Sequence, residues 1–296
     1  MRLAASVLLA FTAHGPQART RAQSTTETDP YLVAVRDQQS RDEQQIDMLF
    51  RRHNCSAAYL DVGTNIGVQI RKLYEPHKYP SAGVLPVFRA SFGRASSRCH
   101  VCTIGFEPNP HHVKRLSELE ARLRRAGAGV LVFHAAAGAT DGAVTLRTPV
   151  RKNQFQDAGA NTLETSSPTT GKYVLHRVRM IQLSRILRHV RTLTRDQVLV
   201  KLDIEGAEWT VLPELMATRA LCSANRIFIE YHDAWLKSVE AVAPPGAVLE
   251  RASYRIMASS LPRIRTELEA ALQKLNRSGV CNVELLSIDD ETSARG

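Results

Sequence analysis

Tyr59-Leu-Asp-Val-Gly-Thr-Asn-Ile-Gly67 reads as a buried strand that runs into a glycine-lined turn and then into a helix. The strand is expected over Ala57–Asp61 and the helix from about Ile66 to Tyr74. In an open α/β sheet, ligands bind beyond the carboxyl ends of the strands, where the chain switches direction across the sheet. Gly63 and Gly67 allow a tight turn and a close approach of backbone to ligand. A dinucleotide site requires G-x-G-x-x-G, so that a pyrophosphate can lie against the helix N-terminus. Here the spacing is D-x-G-x-N-x-G, with Asn65 where a second close glycine would stand. Asp61 would also oppose a diphosphate. A carboxylate in that place suits a ligand with a cationic end, such as the ammonium and sulfonium of S-adenosylmethionine.

Working outward, Val101–Phe106 is a second strand ending at Glu107. An ionised carboxylate offers only acceptors, so Glu107 can take both ribose hydroxyls of an adenosine. Residues 75–98 carry Pro76, Pro80 and Pro86 without a clean period and read as an insertion. Asn109-Pro110 starts a helix whose buried stripe is Val113, Leu116, Leu119 and Leu123. A third strand is expected over Val130–Ala136. A turn at Asp141-Gly142 then leads to Val144–Leu146, and a long polar loop covers Pro149–Lys172. Further strands fall at Gln197–Leu202, Arg226–Glu230 and Val283–Ile288, with helices over Ala207–Met216 and around Leu261, Ile264, Leu268, Leu272 and Leu275. This alternation predicts an α/β fold, doubly wound on a mainly parallel sheet.

Three blocks, Tyr59-Leu-Asp-Val-Gly-Thr-Asn-Ile-Gly67, Gly105-Phe-Glu-Pro-Asn-Pro110 and Val200-Lys-Leu-Asp-Ile-Glu-Gly-Ala-Glu208, resemble the signature of the FkbM methyltransferase family. Arg226-Ile-Phe-Ile-Glu-Tyr-His232 is similar to a fourth block, and the resemblance covers roughly residues 55–235. It implies a class I, Rossmann-like methyltransferase fold with a seven-stranded sheet. It also implies S-adenosylmethionine as cofactor and transfer to oxygen on small hydroxylated molecules or sugars. By that resemblance Asp61, Gly63, Asn65 and Gly67 line the methionine end of the cofactor. Glu107 takes the ribose, and Ala135 and Ala136 lie near the adenine.

Methyl transfer from a sulfonium requires alignment of the acceptor oxygen and a group to take its proton. Asp203, Glu205 and His232 are the candidates, beside Glu230. One carboxylate of Asp203-Ile-Glu205 serves as base and the other as an anchor at the helix start, with no metal expected. Glu208 reads as a helix-dipole partner, and Trp209 as core. Enzymes that methylate amino groups of RNA or DNA place an Asn/Asp-Pro-Pro-aromatic block after the fourth strand. Here that position reads Asp-Ile-Glu-Gly. The remaining rivals are a catalytically silent binding module and, less well matched, a nicotinamide oxidoreductase.

The chain has 296 residues, 44% hydrophobic and 23% charged, enough for a full core. Its net charge is +10, carried mainly by arginine. The basic residues are scattered in short pairs such as Arg51-Arg52 rather than in a stripe with aromatics, which argues against nucleic acid as a partner. Arg2, the apolar run Leu3–Ala13 and Ala13-His-Gly15 read as a signal peptide over residues 1–15. No acidic residue precedes Glu27, a feature that also suits import into an organelle. Residues 16–52 form a leader whose polar helix, 36–52, packs only at its end through Ile46, Met48 and Leu49. The methyltransferase domain then occupies 53–290. No membrane-spanning segment is expected in the mature chain. Five cysteines (Cys55, Cys99, Cys102, Cys222, Cys281) are too few for a disulfide scaffold, and Cys102 reads as a buried thiol. Asn54-Cys-Ser56 and Asn276-Arg-Ser278 fit the pattern for N-glycosylation, which matters only in the secretory lumen.

Overall fold

A computed structural model describes residues 30–149, 161–162, 173–232, 263 and 265–286. The predicted signal peptide, most of the Pro149–Lys172 loop, and Leu261 and Ile264 lie outside the described residues. In chain order the structure runs α1 (Pro30–His53), β1 (Ala57–Val62), α2 (Val68–Tyr74), α3 (Leu85–Phe92), β2 (Val101–Phe106), α4 (Val113–Arg125) and β3 (Gly129–Phe133). There follow β4 (Ala136–Gly138), β5 (Gly142–Pro149), β6 (Asn161–Thr162), β7 (Tyr173–Gln182) and α5 (Leu183–Leu193). Then come β8 (Val198–Leu202), α6 (Glu208–Ala217), β9 (Arg226–Ile229), a helix over 265–277 that we call α7, and β10 (Glu284–Leu286).

The main sheet has the order β10-β9-β8-β1-β2-β3, and every neighbouring pair is parallel. It therefore has six strands among the described residues where seven were expected. Strands covered on both faces must be apolar almost throughout, and β1, β2 and β8 are buried from end to end. Alternate residues serve opposite layers. Ala58, Leu60 and Val62 face the core shared with α1, α5 and α6. Ala57 and Tyr59 face the core of α2 and α3. Beside that second layer, Leu116, Leu119 and Leu123 of α4 pack on Val130 and Val132. The chain moves from β1 outward to β3 and then returns to β8 on the other side of β1. The switch point thus falls at the carboxyl end of β1.

Several expectations need correction. The strand expected over Val130–Ala136 divides in two: β3 ends at Phe133, and Ala136 opens β4 in a second sheet of order β4-β7-β5-β6. In that sheet β5 pairs antiparallel with β7 over its whole length. Residues 75–98 pack on the sheet. Pro76 and Pro86 occupy first-turn positions of short helices, where proline is tolerated, rather than breaking them. Phe88 and Phe92 are buried there against the sheet, with the Phe88 ring 5.1 Å from that of Tyr59.

The leader helix begins at Pro30 and packs beyond its end. Asp42 is buried and accepts from Arg179 at 2.6 Å and from Arg185 at 3.2 Å, while Met48 is exposed. The cysteines also pair: Cys55 with Cys102 and Cys222 with Cys281, at Cα separations of 5.6 and 4.9 Å. The β1–β2 register sets Ala58 beside Cys102, which brings Cys55 within reach. Cys99 is an exposed thiol. Among the described residues no helix is long and apolar enough to cross a membrane.

Candidate active site

The loops after β1, β2 and β8 meet beyond the carboxyl edge of the sheet around a cleft of about 570 Å³. On its β1–β2 side the geometry is made largely by backbone. Gly63 has φ +88°, and a Cβ added there would stand 1.6 Å from the Asp203 carbonyl oxygen, so the two loops touch at that point. Asn65 takes the left-handed region at φ 51°, and its amide donates to Glu107 Oε2 at 2.7 Å. The Asn109 amide donates to Glu107 Oε1 at 2.8 Å. Both carboxylate oxygens are thereby oriented and keep further acceptor capacity toward the cleft. The Asn65 Oδ1 is a buried acceptor with no partner. His112, which the sequence did not single out, also lines the cleft, 3.5 Å from Glu107.

Asp61 lies under this surface. It is fully buried, accepts from the Tyr59 hydroxyl at 3.2 Å, and leaves Oδ2 without a partner. Burial raises its pKa to about 6, against the opposing pull of Lys201. Gly67, at φ +82°, packs its Cα against Leu119 of α4 rather than lining the cleft. Of the two alanines, Ala136 reaches the cleft with Ala137, while Ala135 is buried behind them.

The β8–β9 side is built from ionised side chains. Lys201, in the buried strand β8, donates from Nζ to Asp203 Oδ2 and to the Gly63 carbonyl at 3.3 Å. Burial opposes its charge, but Asp203 and Asp61 outweigh that and raise its pKa. Glu205 stands in the left-handed region at φ 55°, beside Gly206 at φ 102°. Strain of this kind in a non-glycine residue is held by its surroundings. Glu208 supplies the holding. Wholly buried, it accepts from the amides of Ile204 at 2.7 Å and Gly206 at 2.8 Å, and pairs with His232 Nδ1 at 3.0 Å. It therefore does more than offset a helix dipole.

His232 does not line the cleft. Its Nε2 lies 3.6 Å from Asp203 and 3.7 Å from both Glu205 and Glu230. Burial would lower its pKa, yet the bond to Glu208 and the nearby carboxylates raise it to about 9. At neutral pH it is an imidazolium that ties four carboxylates together. Asp203, Glu208 and His232 are also close enough to share a cation, but that requires His232 to lose its proton and its bond to Glu208.

The sequence pattern of the methyltransferase FkbM domain matches residues 61–275. The chain belongs to the FkbM methyltransferase family. The family pattern begins at Asp61, inside the buried strand β1. The crystal structure of the FkbM methyltransferase from Methylobacillus flagellatus KT is similar at 16% identity, with a TM-score of 0.34. The alignment covers 64% of this chain and 38% of that one, so the chain spans well under two thirds of its relative's length. Among curated proteins, none matches the chain.

The structure adds Lys201 and Glu208, both inside the third family block, and His112 to the site. Lys201 had a signal in the sequence: it is the one charged residue in the otherwise apolar strand Val198-Leu-Val-Lys-Leu202.

Proposed function

We propose that this methyltransferase uses S-adenosylmethionine to methylate a hydroxyl oxygen of a small molecule or sugar. The oriented Glu107 carboxylate carries the reading. Two amides fix it on the cleft wall, facing a loop whose glycine admits close contact, as a ribose diol requires. Asp61, Gly63 and Asn65 would hold the methionine end, with Gly67 letting α4 pack close behind the loop. The buried, partnerless oxygens of Asp61 and Asn65 suit a cationic group there. Ala136 and Ala137 would flank the adenine, since small side chains leave room for a flat ring, with Ala135 packed in the core behind them.

When bound, the cofactor's sulfonium supplies an electrophilic methyl group. The chain's own part is to orient the acceptor and remove its proton. Lys201 engages Asp203, which favours Asp203 as a positioning anion and Glu205 as the base. His232, already protonated, would steady both carboxylates rather than accept a proton itself. The acceptor is a small molecule or glycan. The paired cysteines and the apolar run Leu3–Ala13 support action in the secretory lumen.

Calorimetric titration with S-adenosylmethionine tests the cofactor assignment. Micromolar binding is expected, weakened about 10- to 100-fold by Glu107→Gln, since a hydrogen bond to a charged group contributes about 1.5–3 kcal/mol. A folded sample that shows no binding would remove the cofactor from this reading.

A further inference from the structure

Two segments, Asn54-Cys-Ser56 and Asn276-Arg-Ser278, have the form that accepts an N-linked oligosaccharide. The fold treats them differently. Asn54 is exposed in the turn between α1 and β1, at φ 47°, a left-handed conformation that asparagine tolerates. Because the sheet is parallel, the start of β1 lies at the edge opposite the cleft. The six residues of β1 separate the two edges by about 20 Å. A glycan on Asn54 therefore leaves the site open.

Asn276 is committed elsewhere. Its Nδ2 donates to the Val283 carbonyl at 2.6 Å and its Oδ1 accepts from the Val283 amide at 3.1 Å. These bonds tie the end of α7 to the segment entering β10, beside the Cys222–Cys281 bridge. A glycan on Nδ2 leaves one N–H and the Oδ1 acceptor, but a sugar on that nitrogen would have to fit against the part-buried Val283 contact. The two disulfides suit the compartment in which such glycans are added.

We propose that Asn54 carries an N-linked oligosaccharide and that Asn276 stays unmodified. The inference rests on the luminal location argued above, not on the identity of the methyl acceptor. In the reaction the Asn54 amide nitrogen bonds to the anomeric carbon of a lipid-pyrophosphate-linked oligosaccharide. The sugar–phosphate bond breaks, the lipid pyrophosphate leaves, and the amide proton passes to a base of the transferase. Transfer needs the acceptor segment extended, which at Asn276 competes with the side-chain bonds that close α7 onto β10. Afterwards the Ser56 hydroxyl is free to bond Asp196, as it does in the folded chain.

The test expresses the full chain, with its own N-terminus, in a eukaryotic secretory cell and treats the product with peptide-N-glycosidase. One mobility step should disappear, with Asn54 converted to aspartate in the peptide mass spectrum. Asn54→Gln and Ser56→Ala should each abolish the step, while Ser56→Thr should keep it, so that misfolding and lost acceptance are distinguished. Asn276→Gln should lower yield and leave the step in place. A luminal product with bare Asn54, modification at Asn276, or a chain that never enters the lumen would each overturn the proposal. Methyl-donor binding is measured separately, so its failure leaves this result intact.

Discussion

The two sides of the cleft reach their shapes by different physics. On the β1–β2 side, Glu107 is oriented by the amides of Asn65 and Asn109, and the nearest charge, Asp61, is buried beneath with one oxygen unpartnered. On the β8–β9 side, Lys201 and His232 hold Asp203, Glu205, Glu208 and Glu230 together. Backbone amides cannot titrate, so the bonds that orient Glu107 need no side-chain proton of their own, although Asp61 beneath them does titrate. The second side depends on every one of its protons. A cofactor site needs constancy, and an acceptor site needs a group that can take a proton. The division of labour follows the materials.

The sharpest way to break this contrast is at Glu205. Glu205→Gln should reduce kcat for methyl transfer by about 10²–10⁴-fold, the usual contribution of a positioned base. Cofactor affinity, set by the other side, should not change. A matching loss of affinity would show that the two sides are not separable. Next is Glu208→Ala, which strands two amides and an imidazolium in the interior. Removing one partner of a buried pair costs about 3–5 kcal/mol, so chemical denaturation should show a loss of that size. A loss within error of zero would refute its holding role.

The smallest effect concerns pH. His232 has a folded pKa of about 9 against 6.5 unfolded, so its stabilisation is complete below about 6.5 and disappears as pH rises through 9. Asp61 acts in the same direction over a lower window. With its pKa raised to about 6 from 3.8, it costs stability above 6, and that cost fades as pH falls toward 4. Thermal melts should decline on the alkaline side for the wild type and flatten there in His232→Gln. Asp61→Asn should instead flatten the acid side. Identical profiles for all three proteins would mean that neither group feels its surroundings as described.

Legibility in the sequence followed locality. The β1 loop was readable because its glycines, asparagine and aspartate lie within seven residues and each answers a local constraint. Glu107 was readable from its place at a strand end. What escaped depended on contacts between distant segments. Lys201 is the one charged residue of β8, and its role depends on the pairing with β1 that sets it beside Gly63. Glu208 looked like a helix-start acid, because its partner His232 lies on another strand's loop. β7 escaped because His176, Arg177 and Arg179 interrupt its alternation, and α5 directly follows it. The disulfides escaped for the same reason: spacing along the chain carries no sign of which strands adjoin.

The helix α1 lies wholly before the residues that define the family, yet its buried Asp42 clasps Arg179 and Arg185 of the second sheet and the helix after it. Ile46, Leu49 and Phe50 continue that contact into the core. The recognisable module and the inheritable module therefore have different edges. A recombination event that moved only residues 61–275 would take Asp42 from Arg179, leave Arg185 to Asp141 alone, and uncover an apolar face. Any lineage that exchanges this domain must transfer α1 along with it, or evolve a substitute cover.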